Sequence, residues 1–360
     1  MDGGTIAGNF IYCNGIKYSD SDVTSMYEDQ SNFTDGYFTK NGFGGGIYVY
    51  PTGKFTMNGG RICYNFATLA GGGVHTSSKD FTMNGGRIDH NSLCNTPYSF
   101  GGGVYVSHSV DHQSSGNAYG ELVMNHGSVD NNTAPLGGGV YLSPDAKVTL
   151  YNDAAIGSNT AKRVGTTASG KGGGLYVDAA ATLTLNGSCR ISNNNASEMY
   201  GGGIQASGTS GKNAKVIMNG GTISGNTAMS GAGVIIYNYA QFDMNDGTIS
   251  GNTATGEGGS GNGGAVYVQN ATFNLKKGTL ENNTASRYGG AININIDAVM
   301  NLGESGAVSI KGNSAKLGGG ISQEAGDCSI SLNSNVTIEN NEAQIILTND
   351  ILKEYQLSVD

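Results

Sequence analysis

Three groups of residues have side chains and spacing that could do chemistry. The histidines come first: His75, His90, His108, His112 and His126 are all five in the chain, and they fall inside 52 of its 360 residues. His108, Asp111 and His112 share one stretch between strand-like runs, where a transition-metal or acid–base site is the chemistry they could support. No second carboxylate cluster accompanies them. The second group is acidic: Asp20, Asp22, Glu28, Asp29 and Asp35 lie between Phe10 and Phe43. Hard oxygen ligands of this kind suit Ca²⁺, so residues 19–35 are a candidate Ca²⁺ loop. Their spacing matches no EF-hand and no nonapeptide Ca²⁺ repeat, and a solvated acidic loop is the competing reading.

The third group is a column of tyrosines. Tyr48, Tyr105, Tyr141, Tyr176 and Tyr267 each stand two residues after a Gly-rich triplet, with His75, Gln205, Ile235, Asn293 and Ser322 at the same place in the other repeats. Flat, amphipathic rings exposed in a row bind sugars or partner proteins. The same residues are also good strand formers, and like aromatics would stack between repeats.

What must position these groups is a repeat. Triplets begin at Gly44, Gly71, Gly101, Gly137, Gly172, Gly201, Gly231, Gly263, Gly289 and Gly318, at intervals of 26 to 36 residues, and seven of the ten are Gly-Gly-Gly. An alternating run follows each, then a segment such as Phe55 to Gly60 or Phe81 to Gly86. A third segment of the form Ile-x-x-Asn closes the unit. Its asparagines are Asn9, Asn65, Asn91, Asn132, Asn159, Asn194, Asn226, Asn252, Asn283, Asn313 and Asn341. Runs this short cannot bury an apolar face alone, so each unit must stack on the next. The reading is all-β, a right-handed parallel β-helix (solenoid) of about ten to eleven coils. At about 4.8 Å per coil that is a rod on the order of 50 Å long. The stacked asparagines should pass a side-chain hydrogen bond from coil to coil, each taking the left-handed backbone of a tight turn. All four prolines, Pro51, Pro97, Pro135 and Pro144, fall between segments, as ladder bonding demands.

Composition agrees and excludes several classes. Glycine contributes 61 residues, a positional requirement of coil turning rather than a sign of disorder. The net charge of −9, with no basic cluster, argues against nucleic acid and anionic membrane surfaces. No apolar run nears the roughly 18 residues of a membrane span, so no membrane insertion is expected of this segment. The five cysteines are scattered, with no CxxC and only Cys63–Cys94 worth testing as a disulfide. Residues 1–344 read as one solenoid with insertions at 10–43, 92–100, 107–120, 160–171, 207–215 and 253–262. The apolar segment 345–360 reads as an end cap. Asp2 to Asn9 is already mid-repeat and carries no signal-peptide pattern, which suggests a fragment of something longer.

The motifs Gly263-Gly264-Ala265-Val266 and Gly289-Gly290-Ala291-Ile292, with Phe55 to Asn58, Phe81 to Asn84 and Phe242 to Asn245, resemble the GGA[ILV]/FxxN repeats of the chlamydial polymorphic outer-membrane proteins. Similar Gly-rich repeats occur in adhesins of gut bacteria. The resemblance implies an extracellular or cell-surface β-helical passenger used in adhesion. On that basis the expected function is a non-catalytic adhesin or stalk segment of a larger secreted or cell-surface bacterial protein. It would bind a glycan or protein on a cell surface through its loops or the tyrosine column, without a cofactor. The alternative is a polysaccharide-active β-helix, a lyase, hydrolase or phage-spike-like depolymerase. Such an enzyme needs paired carboxylates, or a Ca²⁺ cluster with a basic proton abstractor, on one strand face, and Asp89, Asp130, Asp243 and Glu281 read as isolated within their columns.

Overall fold

In the computed structural model, which describes residues 1–11, 42–94, 96–109 and 118–343, the repeat becomes a parallel β-solenoid of about ten turns without a helix. Three long sheets run its length, of 17, 10 and 11 strands. The strand after each Gly triplet builds the 10-stranded sheet, from Ile47–Val49 to Ile321–Gln323. The two following segments build the 17-stranded sheet. In four repeats they fuse into single strands, such as Asp80–Asp89 and Gln241–Ser250, each of 10 residues.

The fused strands bulge where Asn-Gly-Gly or its variants occur, as the register shifts between Met124 and Ser128 show. A second, solvent-exposed amide column grows there. Asn84 Nδ2 donates to Asn58 Oδ1 at 2.8 Å, and Asn125 Nδ2 to Asn84 Oδ1 at 2.8 Å.

The predicted asparagine ladder is complete. All eleven residues stack in order, joined by ten Nδ2 to Oδ1 bonds of 2.8–3.1 Å. Each Oδ1 from Asn65 upward also accepts the backbone N–H of the asparagine one coil below, as Asn159 Oδ1 does from Asn132 at 2.9 Å. From Asn65 upward each Nδ2 reaches a strand carbonyl as well. One part of the expectation is corrected. The left-handed residue is the one just before the ladder, for example Tyr64, His90, Asn131 or Gly225, and the ladder asparagines themselves have ordinary backbone. Their amides are needed for bonding inside the wall, so the turn falls one residue earlier.

Inward residues interdigitate into one thin core. Phe81, Met83, Ile88, Val104 and Val106 are fully buried, and Phe242 stacks on Phe273 at 5.0 Å. At the triplet corner Gly71 has φ +66°, and a Cβ on Gly72 would lie 2.4 Å from the Gly102 carbonyl of the next coil. Coil-on-coil contact at this corner is backbone on backbone, which is why glycine recurs there.

The third sheet takes up the start of three of the expected insertions. Residues 92–100, 160–171 and 253–262 each begin with a strand of that sheet, Ser92–Leu93, Thr160–Ala161 and Thr253–Ala254. Its alanines, including Ala161, Ala196, Ala228 and Ala254, pack into their own buried cluster. Within 107–120, His108–Ser109 pairs antiparallel with Ala118–Tyr119. Within 207–215, Thr209 and Lys212 form an antiparallel bridge. The acidic loop 19–35 and the cap 345–360 lie outside the described residues. Among the described residues no helix is long and apolar enough to cross a membrane.

Candidate functional site

The tyrosine column stands in the register the sequence predicts. Tyr48, His75, Tyr105, Tyr141, Tyr176, Gln205, Ile235, Tyr267, Asn293 and Ser322 pair coil to coil without a slip. The expectation that this column is an exposed strip is corrected. Tyr48 is 46% exposed, but Tyr141 and Tyr267 are only 6% and 8% exposed. The rings pack on one another, edge-on, tilted or, for the last pair, face to face: centroids are 4.5 Å apart for Tyr48–His75, 5.1 Å for His75–Tyr105, 5.7 Å for Tyr105–Tyr141 and 5.0 Å for Tyr141–Tyr176.

A second column covers them. The residue just before each triplet bridges its neighbours in the order Phe43, Ala70, Phe100, Leu136, Lys171. Phe43 meets His75 at 5.0 Å, and Phe100 meets Tyr141 at 4.7 Å. Burial and the nearby Asp178 carboxylate, which accepts the Tyr141 hydroxyl at 2.6 Å, push the Tyr141 phenol well above its usual range.

Further up, both columns change character. The tyrosine ladder breaks after Tyr176, and Gln205 and Ile235 take its place before Tyr267 resumes it. Opposite, the covering column reads Lys171, Tyr200, Ser230, Asn262. Shorter and more polar side chains leave space, and a cleft of about 240 Å³ opens with Gln205, Ile235 and Tyr267 along one side and these four along the other. Tyr237 and Gln269 form its outer rim.

The wall is preformed. Ser230 Oγ accepts the backbone N–H groups of Gly261 and Asn262 at 3.0 and 3.1 Å. Glu324 is saturated: Oε1 accepts from Arg287 at 2.9 Å, and Oε2 from Asn262 and Asn295 at 3.0 Å each. Burial lowers the Lys171 ammonium below its ordinary range.

Four amide oxygens beside or within the cleft have no partner among the described residues: Gln205 Oε1, Asn262 Oδ1, Asn293 Oδ1 and Asn295 Oδ1. Gln205, Asn262 and Asn293 are 3%, 3% and 0% exposed. The asparagine orientations follow from their partners. Nδ2 of Asn262 and Asn295 faces a carboxylate and Nδ2 of Asn293 faces a carbonyl, so oxygen is the atom left over.

The other sequence candidates do not assemble. His75 lies in the aromatic column, His90 beside Tyr64 on the 17-stranded sheet, and His126 pairs with Asp153. His108 is placed by backbone in the small antiparallel pair; Asp111 and His112 lie outside the described residues. Among the described residues no three His, Cys, Asp or Glu side chains are grouped to hold a metal. Cys63 and Cys94 are both buried and form no disulfide with each other.

Asp89 and Asp130 are not isolated, as the sequence suggested, but occupy adjacent coils of one column. Arginines separate their charges. Arg61 Nε meets Asp89 Oδ1 at 2.7 Å, and Arg87 bridges Asp89 at 3.4 Å and Asp130 at 2.6 Å. Burial alone would raise the Asp130 carboxyl, but bonds from Arg87, Ser128 and Asn131 outweigh it and hold it below the usual carboxylate range.

Sequence reasoning missed the cleft because it rests on the residue before each triplet, a position that looks like loop until the triplets are aligned. It defines the chain as a parallel β-solenoid with a lateral cleft between two side-chain columns. Comparison with family models, curated proteins and solved structures gave no match.

Proposed function

We propose that the chain is a non-catalytic ligand-binding segment of a secreted or cell-surface bacterial protein, an adhesin or stalk. In this reading it is kin in motif to the polymorphic outer-membrane protein repeats and to Gly-rich adhesins of gut bacteria. The observation that carries the reading is the lateral cleft: a preformed concavity with buried amides unpartnered among the described residues, beside which the Glu324 carboxylate has both oxygens committed. Recognition needs such fixed polar groups on a rigid support. Acid–base chemistry needs a group free to take or give a proton, and the Glu324 carboxylate is held by Arg287 and two amides instead. Repetition supports the stalk role, since adding coils lengthens the rod without altering its cross-section.

The test is binding of the labelled 360-residue chain to panels of bacterial and epithelial cells. Saturable binding, displaced by unlabelled chain, is expected. Failure to bind any cell type overturns the reading.

A second reading, a polysaccharide-active β-helix, is favoured by the adjacent Asp89 and Asp130 carboxylates with Arg61 and Arg87 beside them. Release of reducing ends or unsaturated sugars, lost in Asp89→Ala, Asp111→Ala or Asp130→Ala, would establish it over the binding-only reading.

A further inference from the structure

We infer that the cleft between Gln205, Ile235 and Tyr267 on one side and Tyr200, Ser230 and Asn262 on the other binds a neutral glycan chain. This rests on the ligand-binding reading above and names its ligand class. The unpartnered groups are acceptors, which call for a ligand rich in hydrogen-bond donors. A buried amide oxygen without a donor is costly, so a hydroxyl delivered to it is rewarded. Gln205 and Asn262, both in the cleft lining, lie two coil steps apart, about 10 Å along the rod at the usual strand spacing. A single cation cannot reach both, but an extended chain can.

The two acceptors also stand on opposite walls, Gln205 on one and Asn262, in the coil of Tyr267 two steps on, across from it. An extended peptide presents the N–H groups of one edge at a fixed interval of about 6.6 Å. A sugar chain carries hydroxyls in many directions and can meet both walls. Tyr200, Tyr237 and Tyr267 supply the flat apolar surface on which sugar C–H faces pack. Lys171 at the lower end donates where a hydroxyl or ring oxygen accepts. Glu324, closed off by Arg287 and two amides, is poorly placed to recruit a cation.

The experiment is calorimetric titration of the full chain with neutral hexasaccharides (β-1,4-glucan, α-1,4-glucan, β-1,4-mannan and β-1,4-xylan), with a hexagalacturonide, and with CaCl₂ alone. One-to-one binding of a neutral hexasaccharide, unchanged by a chelator, is expected. Gln205→Leu and Asn262→Leu should each weaken it roughly tenfold, the scale of one lost hydrogen bond.

Ile235→Tyr supplies the second variant. Tyrosine occupies that register in five other coils, so the fold should accept it while the ring fills the cleft and abolishes binding. Tyr98→Ala, at a 74% exposed residue remote from the cleft, should bind as the parent does. No binding by any neutral hexasaccharide, binding only of the uronide, dependence on Ca²⁺, or full retention in Ile235→Tyr would each overturn the inference. Cell binding that survives periodate but not protease would overturn the glycan assignment while leaving the adhesin reading standing.

Discussion

The rings of Tyr141 and Tyr176 lie face to face, 5.0 Å apart and 11° from parallel. This pair is the best-formed step of an aromatic ladder that a second column, led here by Phe100, seals from water. Tyr141→Ala should therefore cost about 3–5 kcal/mol, as for other large buried aromatics. Tyr141→Phe keeps the stack and removes only the hydroxyl bond to Asp178, for about 1 kcal/mol. Urea denaturation followed by circular dichroism would check the order, and equal losses would show that the hydroxyl, not the ring, matters.

His75 makes stability depend on pH. It is 4% exposed, neither ring nitrogen has a partner among the described residues, and burial lowers its pKa from 6.5 to about 3. The groups around it are the rings of Phe43, Tyr48 and Tyr105, none of them a carboxylate that could welcome a proton. Above pH 6.5 the folded and unfolded chains both hold it neutral, and its contribution is fully present. As pH falls from there towards 3, the unfolded chain binds a proton that the folded chain refuses, and stability drops by up to about 1.4 kcal/mol per pH unit. His75→Phe should flatten this part of the profile between pH 6.5 and 4. Melting temperatures of both proteins across that range would decide, and parallel curves would rule the histidine out.

The asparagine ladder should be most sensitive in its middle. Asn159 donates to Val129 and Asn194 and accepts twice from Asn132, so its loss orphans groups on both sides. Asn159→Ala should cost roughly 3 kcal/mol or more, since each buried group left unpaired costs about 1–3. The Asn9 side chain, at the first rung, bonds only to Asn65 among the described residues, and Asn9→Ala should cost about 1 kcal/mol. Comparable denaturation midpoints for the two variants would contradict a cooperative ladder.

How far these features were legible in sequence depended on what the repeat constrains. Gly triplets and Ile-x-x-Asn fix where each coil turns, so strand register followed, and with it all ten residues of the tyrosine column. Burial of that column did not follow, because it depends on residues such as Phe100 arriving from the preceding short strand. Strands of two residues, Thr133–Ala134 or Thr160–Ala161, are too short to show alternation. Their signal was instead the recurring Asn-Thr-Ala that begins at ladder residues 132, 159, 226, 252 and 283. Asp89 and Asp130 were missed as neighbours for a simpler reason: 41 residues separate them, and only alignment on the ladder asparagines puts them one coil apart.

The last described coil leaves its apolar residues open. Leu332 and Ile338 are 42% and 44% exposed, although their counterparts Leu302 and Ile310 one coil below are fully buried. The strands of that coil, Ser329–Leu332 and Val336–Glu339, also lack a neighbour on one side among the described residues. An unpaired, apolar strand edge is a template for another chain. The following sequence, with Ile345, Ile346, Leu347, Ile351, Leu352 and Leu357, has the composition to cover it. Truncation after Ala343 should therefore produce concentration-dependent association, visible by sedimentation velocity, together with a lower melting temperature. Replacing Leu332 and Ile338 by lysine in the truncated chain should restore the monomer, because charges at a strand edge oppose pairing. A truncated chain that stays monomeric and equally soluble would show that this coil closes itself.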